Sequence, residues 1–446
     1  MAAKTPGLPT KRKQWPISSI NRRGTMKDQS SNPPLNLNLH QEKVRALKES
    51  FKGNSCVSCA LASGELAGCP WRIDGDGLLV IGKNQNHDLH LQLEKDGELL
   101  GWPWLDYALD IKAVKTQGKI KVTGPLDGAF AGLVKVKTID LSGFDVTEVN
   151  SLCEMFVNCI ELEKIEFSHW NVQHVKHMDR MLKGCINLSE IDVSQWKTSR
   201  LETMPELFRR CARLAHLDLS QWDTRHVTNM SSVFMGCLLL QDPQIGSWDL
   251  RQVRDLSFLF HKCFKIQPSG IENWNPCRVE NMSSLFYDCA SITKLDLSRW
   301  KTDHLKFLWS AFDGCSNLEW LSLANWNVSQ VEFADMTALF RCCFALQSLD
   351  LAGWTPPAWP DSVQDFGSLW TEVSLLPFIH CDALQNIICS RALLPLLQTL
   401  PDQKTWQIGD HQYGKSALLD FIKTHAGLVV IGQRGAFARE DPRNAS

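Results

Sequence analysis

The chain has 446 residues, 44% of them hydrophobic, which is room for two or three ordinary domains and enough for substantial buried cores. Its formal net charge of -2 argues against general nucleic-acid binding, and no stretch approaches the roughly 20 apolar residues of a membrane-spanning helix. The small net charge hides an asymmetry, because residues 1–34 carry seven Lys/Arg against one Asp and leave the remainder clearly acidic.

Residues 1–68 read as a disordered basic segment and linker. Their Lys, Arg, Ser, Asn and Pro cannot bury enough apolar surface to offset ordering the backbone. The charge at the start is not followed by an apolar h-region, so an ordinary export signal is not expected from it. Cys56 and Cys59 form a C-x-x-C with Cys69 nearby. No second pair or His pair completes a zinc set, so thiols in a linker are the plainer reading, and any pairing among the three stays open. Residues 69–125 change character: "CPWRIDGDGLLVIG" alternates apolar residues around a Gly-Asp-Gly turn, which predicts a small β-rich N-terminal cap module.

From residue 126 to 373 a repeat of about nine units takes over. Trp170, Trp196, Trp222, Trp248, Trp274, Trp300 and Trp326 stand 26 residues apart, and Trp354 follows after 28. Cys159, Cys185, Cys211, Cys237, Cys263, Cys289 and Cys315 keep the same interval, with Cys343 again 28 later. One unit earlier Phe144 takes the Trp place, with Phe130 opening that unit and Leu133 in the Cys place. One unit after Trp354, Val363, Phe366 and Trp370 keep the spacing. A period in this range is the signature of a solenoid.

Within one unit, Leu214, Leu217, Leu219 and Trp222 match the leucine-rich-repeat strand template, with Trp in the usual Asn/Cys place. Val227, Met230, Phe234 and Cys237 follow at spacings of 3, 4 and 3, which predicts a helix of about three turns, with Thr224 and Thr228 able to cap its start and Gly236 weakening its end. The predicted fold is therefore an α/β leucine-rich-repeat solenoid, one short parallel strand and one helix per repeat, between a β-rich cap and a helical C-terminal cap at 374–446.

Each indole buries about 150–250 Å², on the order of 4–6 kcal/mol of gross transfer energy, so core packing outweighs an aromatic ligand strip as the reason for the Trp ladder. The Cys ladder reads as small buried thiols. On neighbouring helices they would lie about 8–10 Å apart, beyond the ~7 Å that a disulfide spans. Such thiols fit a reducing compartment slightly better than an oxidising one. The outward strand positions are where recognition is expected. Asp140, Glu166, Asp192, Asp218, Asp296 and Asp350 occupy one equivalent place and would stack carboxylates about 4.8 Å apart, a stripe that a basic partner or a cation could relieve. The stripe breaks at Gln244 and Gly270, near Pro243 and Pro268, where a bend or altered patch is expected. The residues expected to contact a partner are Glu166, Asp192, His216, Asp218, Lys294, Asp296, Trp320 and Asp350.

The phrases "HLDLSQWDTRHVTNMSSVFMGC" and "ENMSSLFYDCASITKLDLSRWKT" closely resemble the repeats of the BspA-like leucine-rich-repeat surface protein family, over about 126–370. "CPWRIDGDGLLVIG" with "WPW" and "IKAVKTQGKI" is similar to the module that precedes the repeats in some members. The resemblance implies a secreted or cell-surface bacterial protein that binds other proteins, often host matrix or cell-surface components, without catalysis and without a cofactor.

Near the end, "GDHQYGKS", Gly409 to Ser416, satisfies the G-x-x-x-x-G-K-[ST] phosphate-loop pattern. "GLVVIG" at 427–432 ends without an acidic metal-binding residue, so a turn flanked by Trp406 and Tyr413 in a capping segment is the plainer reading. The histidines form no H-E-x-x-H and no Ser/His/Asp elbow, and no metal site is expected. The sequence thus points to a non-catalytic protein-binding or adhesion solenoid, on the cell surface or secreted, with no nucleic-acid partner and no membrane span. An intracellular or translocated effector-type scaffold is the alternative, and a nucleotide-binding enzyme through Gly409–Ser416 a remote one.

Overall fold

The fold follows from what a 26-residue unit can bury. One unit leaves its Leu, Trp, Phe and Cys side chains exposed on one flank, and only a second copy stacked on it removes them from water. The computed structural model describes residues 60–91, 101–167, 169–356, 376–401, 405–408, 411–424 and 428–432. Of the segment 1–68 expected to be disordered, residues 1–59 with the Cys56/Cys59 pair lie outside these residues, as do Val363, Phe366 and Trp370, whereas Ala62–Leu66 of that segment is a strand, paired antiparallel with Cys69–Ile73, and not linker.

Six strands open the described chain: β1 (Ala62–Leu66), β2 (Cys69–Ile73), β3 (Leu78–Gly82), β4 (His87–His90), β5 (Ala113–Gln117) and β6 (Ile120–Thr123). Three more follow, β7 (Thr138–Asp140), β8 (Phe144–Glu148) and β9 (Lys164–Glu166). One sheet runs β1-β2-β3-β5-β7-β9, antiparallel over its first three strands and parallel beyond, and a second parallel sheet runs β4-β6-β8. Parallel stacking therefore begins at β3, upstream of the Trp-bearing repeat. The strand row returns as β10 (Lys294–Asp296), β11 (Trp320–Ser322), β12 (Ser348–Asp350) and β13 (Asn386–Ser390). Its parallel register, Lys294 to Trp320 to Ser348, advances by the repeat and then by the two-residue insertion. The column that Trp370 was expected to fill holds Phe378, 5.3 Å from Phe340, and Cys381 stands in the Cys place.

Between β9 and β10 the strand row carries no assigned strand. Pro243 and Pro268 fall there without an amide to donate, Gln244 turns left-handed at φ 56°, and Asp242 accepts bonds from Gln244 N and Ser269 Oγ. This is the altered patch expected at the break in the stripe. The backbones of Gly246 and Gly270 touch here, and a Cβ on Gly246 would lie 2.9 Å from Gly270 Cα.

The helix expected in every repeat does not form. Left-handed residues recur four apart, Ser232 (φ 58°) and Gly236 (φ 76°) in one unit and Glu206 (φ 58°) and Arg210 (φ 64°) in the unit before, and a right-handed helix cannot pass through them. Met235 N and Cys237 N close turns on Ser232 O and Phe234 O. Met230, Ser232, Phe234 and Gly236 donate instead to Asp255, Ser257, Leu259 and His261 of the next coil, at 2.8–3.0 Å. The row is a run of β-turns with two left-handed residues in each coil, tied coil to coil. Thr224 caps no helix. Its buried hydroxyl donates to Asp249 O and accepts from Asp249 N, a bridge repeated by Thr198 and Thr302.

Turns stack more closely than helices, so the expected 8–10 Å spacing is replaced by a tighter one. Phe208, Phe234, Phe260 and Phe286 stand 5.4–5.9 Å apart, ring to ring, and Trp274, Trp300 and Trp326 5.8–6.0 Å apart. Seven of the eight ladder indoles donate Nε1–H to a carbonyl of the preceding coil at 2.6–3.4 Å. The ladder is thus core, with seven indole donors spent inside the fold and the eighth, Trp196 Nε1, buried without a partner. Each ladder thiol is free and buried, and donates to a carbonyl one coil back, as Cys237 does to Phe208 O at 3.0 Å.

The C-terminal cap is mixed rather than helical. β13 pairs antiparallel with β16 (Leu428–Ile431), which closes the parallel ladder, and between them lie α1 (Leu394–Leu397), the hairpin β14 (Thr405–Ile408) and β15 (His411–Gly414), and α2 (Lys415–Thr424). Packing on a sheet edge favoured strands here, since edge amides need partners.

The turn row also carries ions. Arg180 bridges Glu154 (2.9 Å) and Glu206 (3.0 Å), and Glu206 takes Lys183 and Arg209, each at 2.7 Å. Burial pushes the Glu206 carboxyl up, but the bonds from Lys183, Arg209 and Arg180 outweigh it and hold it down at about 2. A depressed carboxyl contributes stability above its ordinary value of 4.5 and loses it as pH falls through about 2. Glu206→Gln should therefore cost about 1–3 kcal/mol at neutral pH in denaturant unfolding, and the gap to wild type should close toward pH 2. Burial also pushes the Cys159 and Cys237 thiols up to about 12. Iodoacetamide at pH 8, mapped by mass spectrometry, should label half-exposed Cys277 and spare the ladder thiols until the chain unfolds.

Candidate functional site on the strand face

The strand face is built from the two outward positions on either side of each buried strand leucine or isoleucine. A strand alternates its side chains, so Leu295 and Leu321 point inward while Lys294, Asp296 and Trp320 remain at the surface. The expected contact residues fall into two groups. Glu166, Asp192 and Asp218 follow Asp140 on consecutive coils, with His216 beside Asp218. Lys294 is the register partner of Trp320, and Asp296 of Ser322, which in turn pairs with Asp350. The coils bearing Gln244 and Gly270 separate the two groups, so the structure gathers the eight residues into two patches rather than one.

The carboxylate stripe has a job inside the fold as well. Asp140, Asp218, Asp296 and Asp350 each accept the backbone N–H two residues on, at 2.9–3.0 Å, and Asp192 accepts both Ser194 N (3.1 Å) and Ser194 Oγ (2.8 Å). Each is an Asx turn that redirects the chain from strand to Trp corner. Ser322 Oγ further donates to Asp350 at 3.2 Å. One oxygen of each Asp is thus engaged by its own turn, which offsets the crowding of like charges expected along the stripe. His216 and Lys294 are exposed and Trp320 is half-buried; these residues vary between coils.

Other expected sites resolve differently. No group of three or more metal-ligating side chains occurs among the described residues. Cys69 is buried in β2, and burial pushes its thiol up to about 11. In "GDHQYGKS" the residues His411–Gly414 are strand β15, with Tyr413 opposite Trp406, and Lys415 opens α2. Pairing with β14 holds His411–Gly414 as extended strand and not as the compact loop of a phosphate cradle, and Gly409 and Asp410 lie outside the described residues.

Three features were not anticipated from the sequence. A cleft of about 460 Å³ lies where β4, β6 and β8 meet the first Trp coil, lined by His87, Asp88, Lys119, Lys121, Asp145 and His169 among others. Ile160, Ile186, Phe264 and Phe344 are exposed along one column next to the Cys ladder. A column of Arg, His and Gln side chains runs along the edge formed after the Trp corner. The last two could have been found by reading the outward positions at the 26-residue interval.

Stacked coils with a strand row, buried Leu and Trp columns and outward variable positions define a repeat solenoid of the leucine-rich-repeat kind. The chain belongs to the family described as "Mycoplasma protein of unknown function, DUF285", which matches residues 125–244 and 230–354. No curated protein matches the chain. Among solved structures it is similar to a leucine-rich cell surface protein from Faecalibacterium prausnitzii, at 14% identity over 73% of this chain and 94% of that one with a TM-score of 0.23. A leucine-rich-repeat protein from Eubacterium ventriosum shares 11% identity over 66% and 95% (TM-score 0.22). An internalin from Listeria monocytogenes shares 11% over 78% and 93% (TM-score 0.23). Likeness at these scores adds nothing to the geometry above. No helix among the described residues is long and apolar enough to cross a membrane.

Because the stripe closes turns, Asp218→Asn should keep the stability of the wild type, whereas Asp218→Ala should lose about 0.5–1.5 kcal/mol in equilibrium unfolding.

Proposed function

We propose that the chain is a non-catalytic binding scaffold that recognises a basic protein surface through its strand face. The observation that carries this reading is the charge of that face. From 137–140 through 347–350, the nine four-residue strand segments hold ten Asp/Glu against three Lys. An acidic face of fixed spacing favours a positively charged partner and speeds its encounter. Glu166, Asp192 and Asp218 with His216 form one contact patch, and Lys294, Asp296, Trp320 and Asp350 the other, the half-buried indole of Trp320 serving as the apolar anchor. The likeness of the repeats to BspA-like surface proteins supports an adhesive role on the cell surface or in the secreted fraction, with a host matrix or cell-surface protein as partner. A second reading, an intracellular or translocated effector-type scaffold acting through the same face, draws support from the cysteines, since all fourteen described are free.

A pull-down with the full chain tests the face. Changing Glu166→Gln together with Asp192→Asn, Asp218→Asn, Asp296→Asn and Asp350→Asn should preserve the fold and abolish recovery of the partner. Unchanged recovery would contradict the strand-face reading. Protease shaving of intact cells separates the two placements, because a chain fully protected from protease is not a surface adhesin.

A further inference from the structure

The edge that follows each Trp corner carries the opposite charge. Its six segments at 171–176, 197–202, 223–228, 249–254, 275–280 and 301–306 hold nine Lys/Arg and five Asp/Glu, with three His in addition. Pairing takes four of these acids and, with them, five of the nine cations. Lys176 pairs with Glu202 at 2.9 Å, Arg225 with Asp223 at 2.9 Å, Arg251 with Asp249 at 2.6 Å, and Glu280 is shared by Arg254 (3.0 Å) and Lys306 (2.8 Å). Arg278 donates to the Gln252 amide rather than to a carboxylate. Arg200, Lys197 and Lys301 are exposed, and the structure gives them no acidic partner among the described residues.

The donors are ordered, and two of them, Arg200 and Arg278, are permanent cations. Positions 174, 200, 226, 252, 278 and 304 are equivalent on six successive coils and read His, Arg, His, Gln, Arg, His, every one a side chain able to donate a hydrogen bond and none a carboxylate. The coils beneath them are joined by parallel bridges from His177 through Thr203, Asn229, Asp255 and Asn281 to Phe307, so the column is continuous from coil to coil. At about 4.8 Å per coil it extends about 24 Å. At its N-terminal end lies an open trough of about 560 Å³, lined by Arg200 and His226, by Lys176 with its partner Glu202, and by Ser199, Thr203 and Thr228, of which Thr203 bonds His177 Nδ1 and Thr228 donates to Glu202 O.

We propose that this edge binds a sulfated polysaccharide. Arg200 and Arg278, with Lys197 and Lys301 exposed on the same edge, recognise its anionic groups, and exposed Ser199 in the trough recognises a sugar hydroxyl. The six segments contain no Phe, Tyr or Trp, so the stacking platform that single-stranded nucleic acid requires is missing from this edge. An extended acidic peptide would add to a free backbone edge, and here the backbone is already bonded from coil to coil. The inference does not rest on the strand-face reading, because it concerns a different face and a different class of partner.

The test is binding of the full chain to immobilised heparin oligosaccharide at physiological salt. Wild type should bind in a salt-sensitive manner. Arg200→Gln with Arg278→Gln should weaken binding by roughly tenfold or more, and Arg200→Lys with Arg278→Lys should retain most of it. The basic N-terminal segment is controlled by Lys11→Ala, Arg12→Ala and Lys13→Ala, which should leave binding in place. The idea fails if wild type does not bind, if the Gln variant binds like wild type, if the N-terminal variant alone removes binding, or if oligo(dT) or polyglutamate of equal charge competes as well as heparin. Unfolding curves of the Gln and Lys variants should superimpose, which separates a lost contact from a lost fold.

Discussion

One contact holds this molecule together: a donor on one coil reaching a carbonyl on its neighbour. It occurs in the backbone of the turn row, where Phe234 N meets Leu259 O. It recurs in the indoles, where Trp300 Nε1 meets Ile271 O at 2.8 Å, and in the thiols, where Cys263 Sγ meets Phe234 O at 2.9 Å. Because so much of the interior would otherwise hold unpaired polar groups, each coil needs its neighbours to be buried at tolerable cost. That requirement explains why Trp and Cys, with one donor each, recur where a plain hydrocarbon would fill the space but leave a carbonyl unpaired. It also explains the caps, which finish the ladder with the antiparallel pairs β1/β2 and β13/β16.

Much of this was legible beforehand, and the failures have a common cause. The Trp and Cys columns, the break near Pro243 and Pro268, and the buried Leu positions could be read from period and residue type alone. The helix could not be told from what replaced it, because apolar spacings of 3, 4 and 3 suit a helix and a chain of tight turns equally. The discriminating signal was chemical: Gly184, Gly236 and Gly314 recur at one place in the unit, which marks a left-handed position rather than a weak helix end. The cap differs from the expected helical one because "GDHQYGKS" reads locally as a turn flanked by Trp406 and Tyr413, while the pairing of His411–Gly414 with β14 depends on a partner strand that no local pattern reveals. The role of the stripe was half legible. Asp followed by Ser two residues on is an Asx-turn signature, and the carboxylates were read only as surface charge.

The two faces follow from the same architecture. A coil of fixed period copies whatever stands at an outward position into a continuous column, so a modest bias per unit accumulates over many coils. The strand face accumulates acid and the edge after the Trp corner accumulates base. Side chains that would be scattered in another fold act here as an array, and departures such as His216, Lys294 and Trp320 give each array its identity.

The central claim is that left-handed turns bonded between coils stand where the periodicity suggests helices, and it is decided by a sign. Ser284 has φ 53°, is fully buried, and its hydroxyl has no hydrogen-bond partner. Glycine at this position relieves both the left-handed strain and the orphaned hydroxyl, so Ser284→Gly should raise the midpoint of equilibrium unfolding. In a helix the same change would cost roughly 0.5–1 kcal/mol, and a lowered midpoint would contradict the turn ladder.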